Sequence, residues 1–112
     1  MYKVGFYRGS DGKSPIASFI SSTEKPLQVK INRQIAYLQR FGLTSANPSL
    51  KKLTGTPLWE VRILGRDSTR IICAAMVKNE ILIVHIFTKK SNKTRSKDLN
   101  ISLKRYKEAL DK

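Results

Sequence analysis

Residues 53–64 (LTGTPLWEVRIL), Arg70 and the run 87–95 (FTKKSNKTR) hold the side chains best suited to chemistry, a set of cations and one aromatic on consecutive strand-like segments. Such an arrangement grips a polyanion and offers the groups to act on it. Other chemistries lack their residues. The single histidine, His85, and the single cysteine, Cys73, lie in separate apolar segments, too few ligands for a metal site. Gly9 and Gly12 sit in a turn without the Gly-Lys-Thr that cradles a nucleotide phosphate, and neither a Ser–His–acid nor a Cys–His spacing stands out. No cofactor is expected.

The charge of the whole chain repeats this theme. Its 112 residues carry a formal net charge of +14 and a pI of about 10.3. From 89 to 107, eight cations (Lys89, Lys90, Lys93, Arg95, Lys97, Lys104, Arg105 and Lys107) stand against one acid, Asp98, a local charge of +7. Nucleic acid is the commonest partner of such a run; a solvated face, or an acidic protein that masks the charge, also fits it. An apolar content of 40% supplies enough Val, Ile and Leu to offset the entropy of ordering, so one folded domain over 1–112 is expected rather than a disordered basic tail. Cys73, in an apolar run, reads as a buried inert thiol. No apolar stretch approaches the roughly 18 residues of a membrane span, and no signal-type apolar region follows Met1. The expected location is cytoplasmic, with no membrane partner.

Periodicity predicts the elements that must position these side chains. Residues 2–8 (YKVGFYR) alternate as a first strand, which 9–12 (GSDG) breaks. Ser14 and Pro15 read as the cap and first-turn proline of a short helix with Ile16, Phe19 and Ile20 on one side. Leu27, Ile31, Ile35, Leu38 and Phe41 recur at helical spacing and predict a longer helix closed by Gly42. Residues 44–57 read as a loop carrying Lys51 and Lys52. Three strands, 59–64, 69–77 and 80–88, follow at lengths that suit antiparallel hairpins. In the first, Trp59, Val61 and Ile63 point one way and Glu60, Arg62 and Leu64 the other; strict alternation puts Ile83, His85 and Phe87 on a common face. Ser96 can cap a last helix with Asp98 in its first turn and Leu99, Leu103, Tyr106 and Leu110 on one stripe. The expected fold is α+β: an antiparallel sheet of about four strands in the order β-α-α-β-β-β-α, with the N-terminal helical hairpin packed on one face and a partly polar concave face opposite.

That order of elements, with L-x-G-x-P-L-W-E-x-R over 53–62, the strand residue Arg70 and HIFTKKSNKT over 85–94, resembles the RelE/ParE toxin superfamily, and within it the phage-related, HigB-like branch. The resemblance spans nearly the whole chain. It implies the toxin of a type II toxin–antitoxin pair, a metal-independent endoribonuclease that cleaves mRNA on the translating ribosome. A cognate antitoxin would neutralise it, HigA-like with a helix-turn-helix, most simply as two toxins on an antitoxin dimer that binds operator DNA. By the family's pattern Arg70 matches the arginine that stabilises the transition state, Arg62 a basic residue on the adjoining strand, and Lys89 and Lys90 further cations. Phe87 would stack on a base splayed from the message, and Lys51, Lys52, Lys93, Arg95 and Lys97 would hold RNA or ribosome.

Metal-free RNA cleavage needs an activated 2′-hydroxyl, a charge to oppose the pentavalent phosphorane and a proton for the leaving 5′-oxygen. The planar fork of arginine suits the second task. Many superfamily members take the acid or base from a Tyr or His near the C-terminus, but Tyr106 falls on a packing stripe here. His85, Glu60 and a lysine of depressed pKa are then the candidates, with a structural imidazole and a Glu60 ion pair as the plain alternatives. Two further readings remain open: a ParE-like toxin that inhibits a topoisomerase by protein contact, and a non-catalytic basic module that binds nucleic acid.

Overall fold

Apolar residues at alternate positions after residue 57 require a sheet buried on at least one face, and the computed structural model, which describes residues 1–65, 68–89 and 96–111, shows a sheet of five strands flanked by three helices. The elements run β1 (Lys3–Phe6), α1 (Pro15–Ser22), α2 (Lys25–Phe41), β2 (Leu50–Lys52), β3 (Leu58–Ile63), β4 (Ser68–Ala75), β5 (Glu80–Lys89) and α3 (Ser96–Leu110). In space the strands are ordered β1-β5-β4-β3-β2.

The α+β class and the order of the long elements are as expected; the sheet differs in two respects. It is mixed, because β1 lies parallel to β5 while the remaining pairs are antiparallel. It also has a fifth strand, since Lys51 and Lys52 lie in β2, paired antiparallel to β3, and not in a loop. Three residues between Asn47-Pro48 and Gly55 are too few to show a period. Two lysines on an edge strand are also a common protection against pairing with another chain.

Local chemistry accounts for the ends of the helices. The Ser14 hydroxyl accepts the Ala17 N–H at 3.1 Å and Pro15 opens α1. At the end of α2, Gly42 takes φ +73° and donates its N–H to the Leu38 carbonyl at 2.8 Å. The stripe of α2 buries Ile31 and Leu38 completely, but Phe41 leaves it, 49% exposed and packed on Tyr37. Lys78 and Asn79 both have positive φ, which makes the two-residue β4–β5 turn the type whose twist matches a hairpin.

Each face of the sheet has its own core. On one, Ile31 and Leu38 of α2 and Ile16 of α1 meet Val61, Ile63, Ile71, Cys73, Ile81 and Ile83. On the other, Leu99, Leu103 and Tyr106 of α3 cover Leu58, Ile72, Ala74 and Val84. The second face is therefore not one open concave surface, because α3 occupies part of it. Leu110, placed on the α3 stripe by periodicity, is 55% exposed. Burial pushes the Cys73 thiol up to about 12, which leaves it the inert core residue that was expected. Among the described residues no helix is long and apolar enough to cross a membrane.

Gly42 makes a close approach as well as a turn. A Cβ there would meet three ring carbons of Tyr2 at 2.5, 2.6 and 2.9 Å, on a backbone with positive φ. Gly42→Ala is expected to destabilise the protein by more than about 1 kcal/mol, read as a lower urea midpoint at unchanged slope.

Candidate functional site

One extra residue in β5 decides which side chains share a face. Ile72 lies opposite His85, yet the next residue, Cys73, lies opposite Ile83, so Val84 is unmatched and forms a β-bulge. On the Glu80 side of the bulge, Ile81 and Ile83 point toward α1 and α2. Beyond it the parity reverses, and His85, Phe87 and Lys89 join the face that carries α3. The common face expected for Ile83, His85 and Phe87 is thus corrected: His85 and Phe87 share one face, and Ile83 belongs to the other.

Strand register assembles the cations on this second face. In one row Arg62 lies opposite Arg70, and Arg70 opposite Phe87; in the next, Lys51 lies opposite Glu60, Glu60 opposite Ile72 and Ile72 opposite His85. Two arginines directly across a ladder repel one another, a local penalty of the kind that marks a functional surface. Arg70, Glu60 and Lys89 are buried, at 3%, 4% and 5% exposure, whereas Arg62 and Lys51 are exposed. Arg70 Nη1 stands 3.5 Å from Glu60 Oε1, an ion pair at the long limit of hydrogen bonding. Arg70 Nε is buried without a hydrogen-bond partner among the described residues.

Burial lowers the pKa of Arg70, with Glu60 opposing and Arg62 reinforcing the shift. The guanidinium nonetheless remains charged at any physiological pH. Burial also lowers the pKa of Lys89. Arg70, Arg62 and Lys51 act in the same direction and Glu60 against it. Among the described residues the result is a patch where positive charge exceeds negative in a poorly solvated place, which favours an incoming anion.

Arg62, Arg70, Lys89, Glu60 and Lys51 therefore come together, while other candidates have different surroundings. Lys52 turns away from the cluster: its Nζ donates to the Thr56 carbonyl and lies 6.0 Å from the centre of the Trp59 ring. Lys97 is exposed at the start of α3. Lys90, Lys93 and Arg95 lie outside the described residues. Phe87 is 8% exposed and stacks on His85 with ring centres 5.1 Å apart, so its face meets the imidazole rather than solvent. Tyr106 packs in the α3 core, as its spacing predicts. Among the described residues no group of three or more His, Cys, Asp and Glu side chains is placed to hold a metal ion.

His85 is engaged at both nitrogens. Nε2 lies 2.9 Å from Asp98 Oδ1, and Nδ1 lies 3.3 Å from Arg105 Nη1, which also donates to the Val84 carbonyl at 3.0 Å. Arginine can only donate, so Nδ1 is the acceptor and Nε2 carries the hydrogen toward Asp98. Arg105 also lies 5.1 Å over the ring of Tyr7, whose hydroxyl donates to Glu108. Sequence reasoning missed this use of Asp98 and Arg105. Their separation of seven residues, two helical turns, was the available signal.

A pH dependence follows from these contacts. Burial lowers the His85 pKa, the Asp98 hydrogen bond opposes this and Arg105 adds to it. A folded value below the unfolded one means that the unfolded chain binds the proton more readily. The stability contributed by the neutral ring is then complete above the ordinary value of 6.5 and is lost as pH falls through the lower folded value. Urea midpoints measured from about pH 8 to about pH 5 should fall at the acid end, and His85→Asn should flatten that fall.

No curated protein matches the chain. Residues 18–107 match the family described as Phage derived protein Gp49-like (DUF891). The matched span runs from α1 into α3 and includes Lys51, Glu60, Arg62, Arg70, His85 and Lys89. With the cationic face and the sheet that carries it inside that span, the chain belongs to the Gp49-like family, a phage-derived, toxin-like family associated with RelE-type proteins.

Proposed function

We propose that this protein is the toxin of a type II toxin–antitoxin pair, of the HigB-like kind, and that it cleaves mRNA on the ribosome without a metal. The observation that carries the reading is the burial of Arg70 and Lys89 beside Glu60 on one face of the sheet, with the exposed Arg62 and Lys51 at its edge. In the reaction the 2′-oxygen of a ribose attacks the adjacent phosphorus and the bond to the 5′-oxygen breaks. The products are a 2′,3′-cyclic phosphate and a free 5′-hydroxyl. One proton leaves the 2′-hydroxyl and one must reach the 5′-oxygen.

The cluster has a group for each task. Arg70 opposes the charge that develops on the phosphorane, while Glu60 holds the guanidinium through Nη1. Lys89, its proton loosened by burial and by Arg70, suits the donor to the 5′-oxygen, and Glu60 is the carboxylate suited to accept from the 2′-hydroxyl. His85 is left out because both of its nitrogens are engaged. A topoisomerase-directed toxin or a plain RNA-binding module would use the +14 charge, yet neither needs two cations buried at the expense of their hydration. The partner in this reading is a HigA-like helix-turn-helix antitoxin, captured quickly through the same field and binding operator DNA in a toxin–antitoxin heterotetramer. The setting is the cytoplasm, where message and ribosome are found.

Arg70→Ala is expected to abolish growth arrest and to lower message cleavage by about a hundredfold or more, with Arg70→Lys recovering only part of it. Primer extension on messages after induction reads the cleavage, and circular dichroism reports the fold. Should the lone alanine unfold the protein through loss of its ion pair with Glu60, Arg70→Met combined with Glu60→Gln removes the pair together. Full toxicity in a folded Arg70 variant, or arrest with uncut messages, sinks the proposal. If Lys89 donates the proton, Lys89→Arg keeps the charge but not the acidity. Its kcat should then fall by about a hundredfold with KM little changed.

A further inference from the structure

A second set of cations lies around the edge of the sheet, where α2 crosses the beginning of β2 and the end of β3. No acidic residue occurs in α2. Its Lys30, Arg33 and Gln34 join Ser49, Arg62 and Leu64 in lining a cleft of about 210 Å³, several times the roughly 30 Å³ share of one water. No carboxylate lines it among the described residues. Lys30 Nζ donates to the Leu64 carbonyl at 3.2 Å, which holds the ammonium at the cleft. Arg33 is exposed and has neither a hydrogen bond nor an ion pair among the described residues.

Gln34 Nε2 stands 3.5 Å from the Ser49 hydroxyl, while its Oε1 is buried without a partner among the described residues and shut off from the cleft. The cleft thus brings three cations together, the complement of a phosphodiester. Arg62 belongs to this cleft and also lies opposite Arg70 on the cationic face, so a strand bound at that face can continue over the edge of β3 into the cleft.

We infer that the cleft is a second RNA subsite, in which Lys30, Arg33 and Arg62 hold a phosphodiester flanking the one at Arg70. The inference rests on the ribonuclease reading and extends it, placing a binding contact at a place remote from the scissile bond.

The test is fluorescence anisotropy with the full chain, without ribosomes, on labelled hexauridylate and on its 2′-deoxy counterpart over a salt series. Arg33→Ala should weaken both probes and lower the salt slope by about 0.7, the value for one single-strand phosphate contact. Lys30→Ala should do the same. An unchanged slope in either variant overturns the subsite. So does poly-glutamate that outcompetes both oligonucleotides and loses its hold in Arg33→Ala, because the cleft would then serve an acidic protein segment. Thermal melting of both variants confirms the fold. Message cleavage that depends on Arg70 while Arg33→Ala binds RNA normally would overturn this subsite and leave the ribonuclease reading standing.

Discussion

Among the described residues two buried cations share the neighbourhood of one buried carboxylate, and the remainder of the structure has to make that tolerable. Even after relaxation, withdrawing a guanidinium or an ammonium from water costs several kcal/mol. The Arg70–Glu60 contact at 3.5 Å recovers only a fraction of that. Lys89 receives attraction from Glu60 but repulsion from Arg70, Arg62 and Lys51. Such a patch persists only on a support whose own packing is secure. The support is a sheet covered on both faces, by α1 and α2 on one side and α3 on the other. An arriving phosphate would relieve the imbalance, so the feature that weakens the free protein is the one that favours a polyanion.

α3 takes part in this through a polar clasp as well as through Leu99, Leu103 and Tyr106. Asp98 and Arg105 grip opposite nitrogens of His85, and Arg105 continues to the Val84 carbonyl at the bulge and to the ring of Tyr7. A network in which each member has a partner fixes one arrangement of helix on sheet. It also orients the imidazole that stacks on Phe87, the cross-strand neighbour of Arg70. In this chain the lone histidine therefore sets the packing beside the cationic face. Proton transfer, in the proposed reaction, falls to Glu60 and Lys89.

Membership of a phage-derived, toxin-like family and the geometry of the second face bear on one another without being the same claim. The family limits the kind of protein. The chemistry has to come from the site, since a common fold hosts different activities. Arg62 links the two parts of the site described above, the face over Arg70 and the cleft beside α2. A surface that bends round a sheet edge suits a flexible single strand better than a rigid duplex.

Much of this was legible in the sequence because it depends on neighbours along the chain. Ser14-Pro15 and Gly42 mark helix ends through their own hydrogen bonds and dihedral preferences, and the stripe from Leu27 to Leu38 is a property of the 3.6-residue turn. The net charge, and the alternation that puts Glu60 and Arg62 on one side of β3, are likewise local. The rest arises where one residue's environment depends on a distant one. β2 exists because β3 offers it an edge, and only that pairing sets Lys51 opposite Glu60. The bulge at Val84 reverses the parity of β5, and no local rule reveals an inserted residue in a run as evenly apolar as residues 81–87. Without that reversal Lys89 and Phe87 would face α1 and α2. Near neighbours along the chain set the elements and their charge; which charges meet, and how far from water, follows from the register the strands adopt.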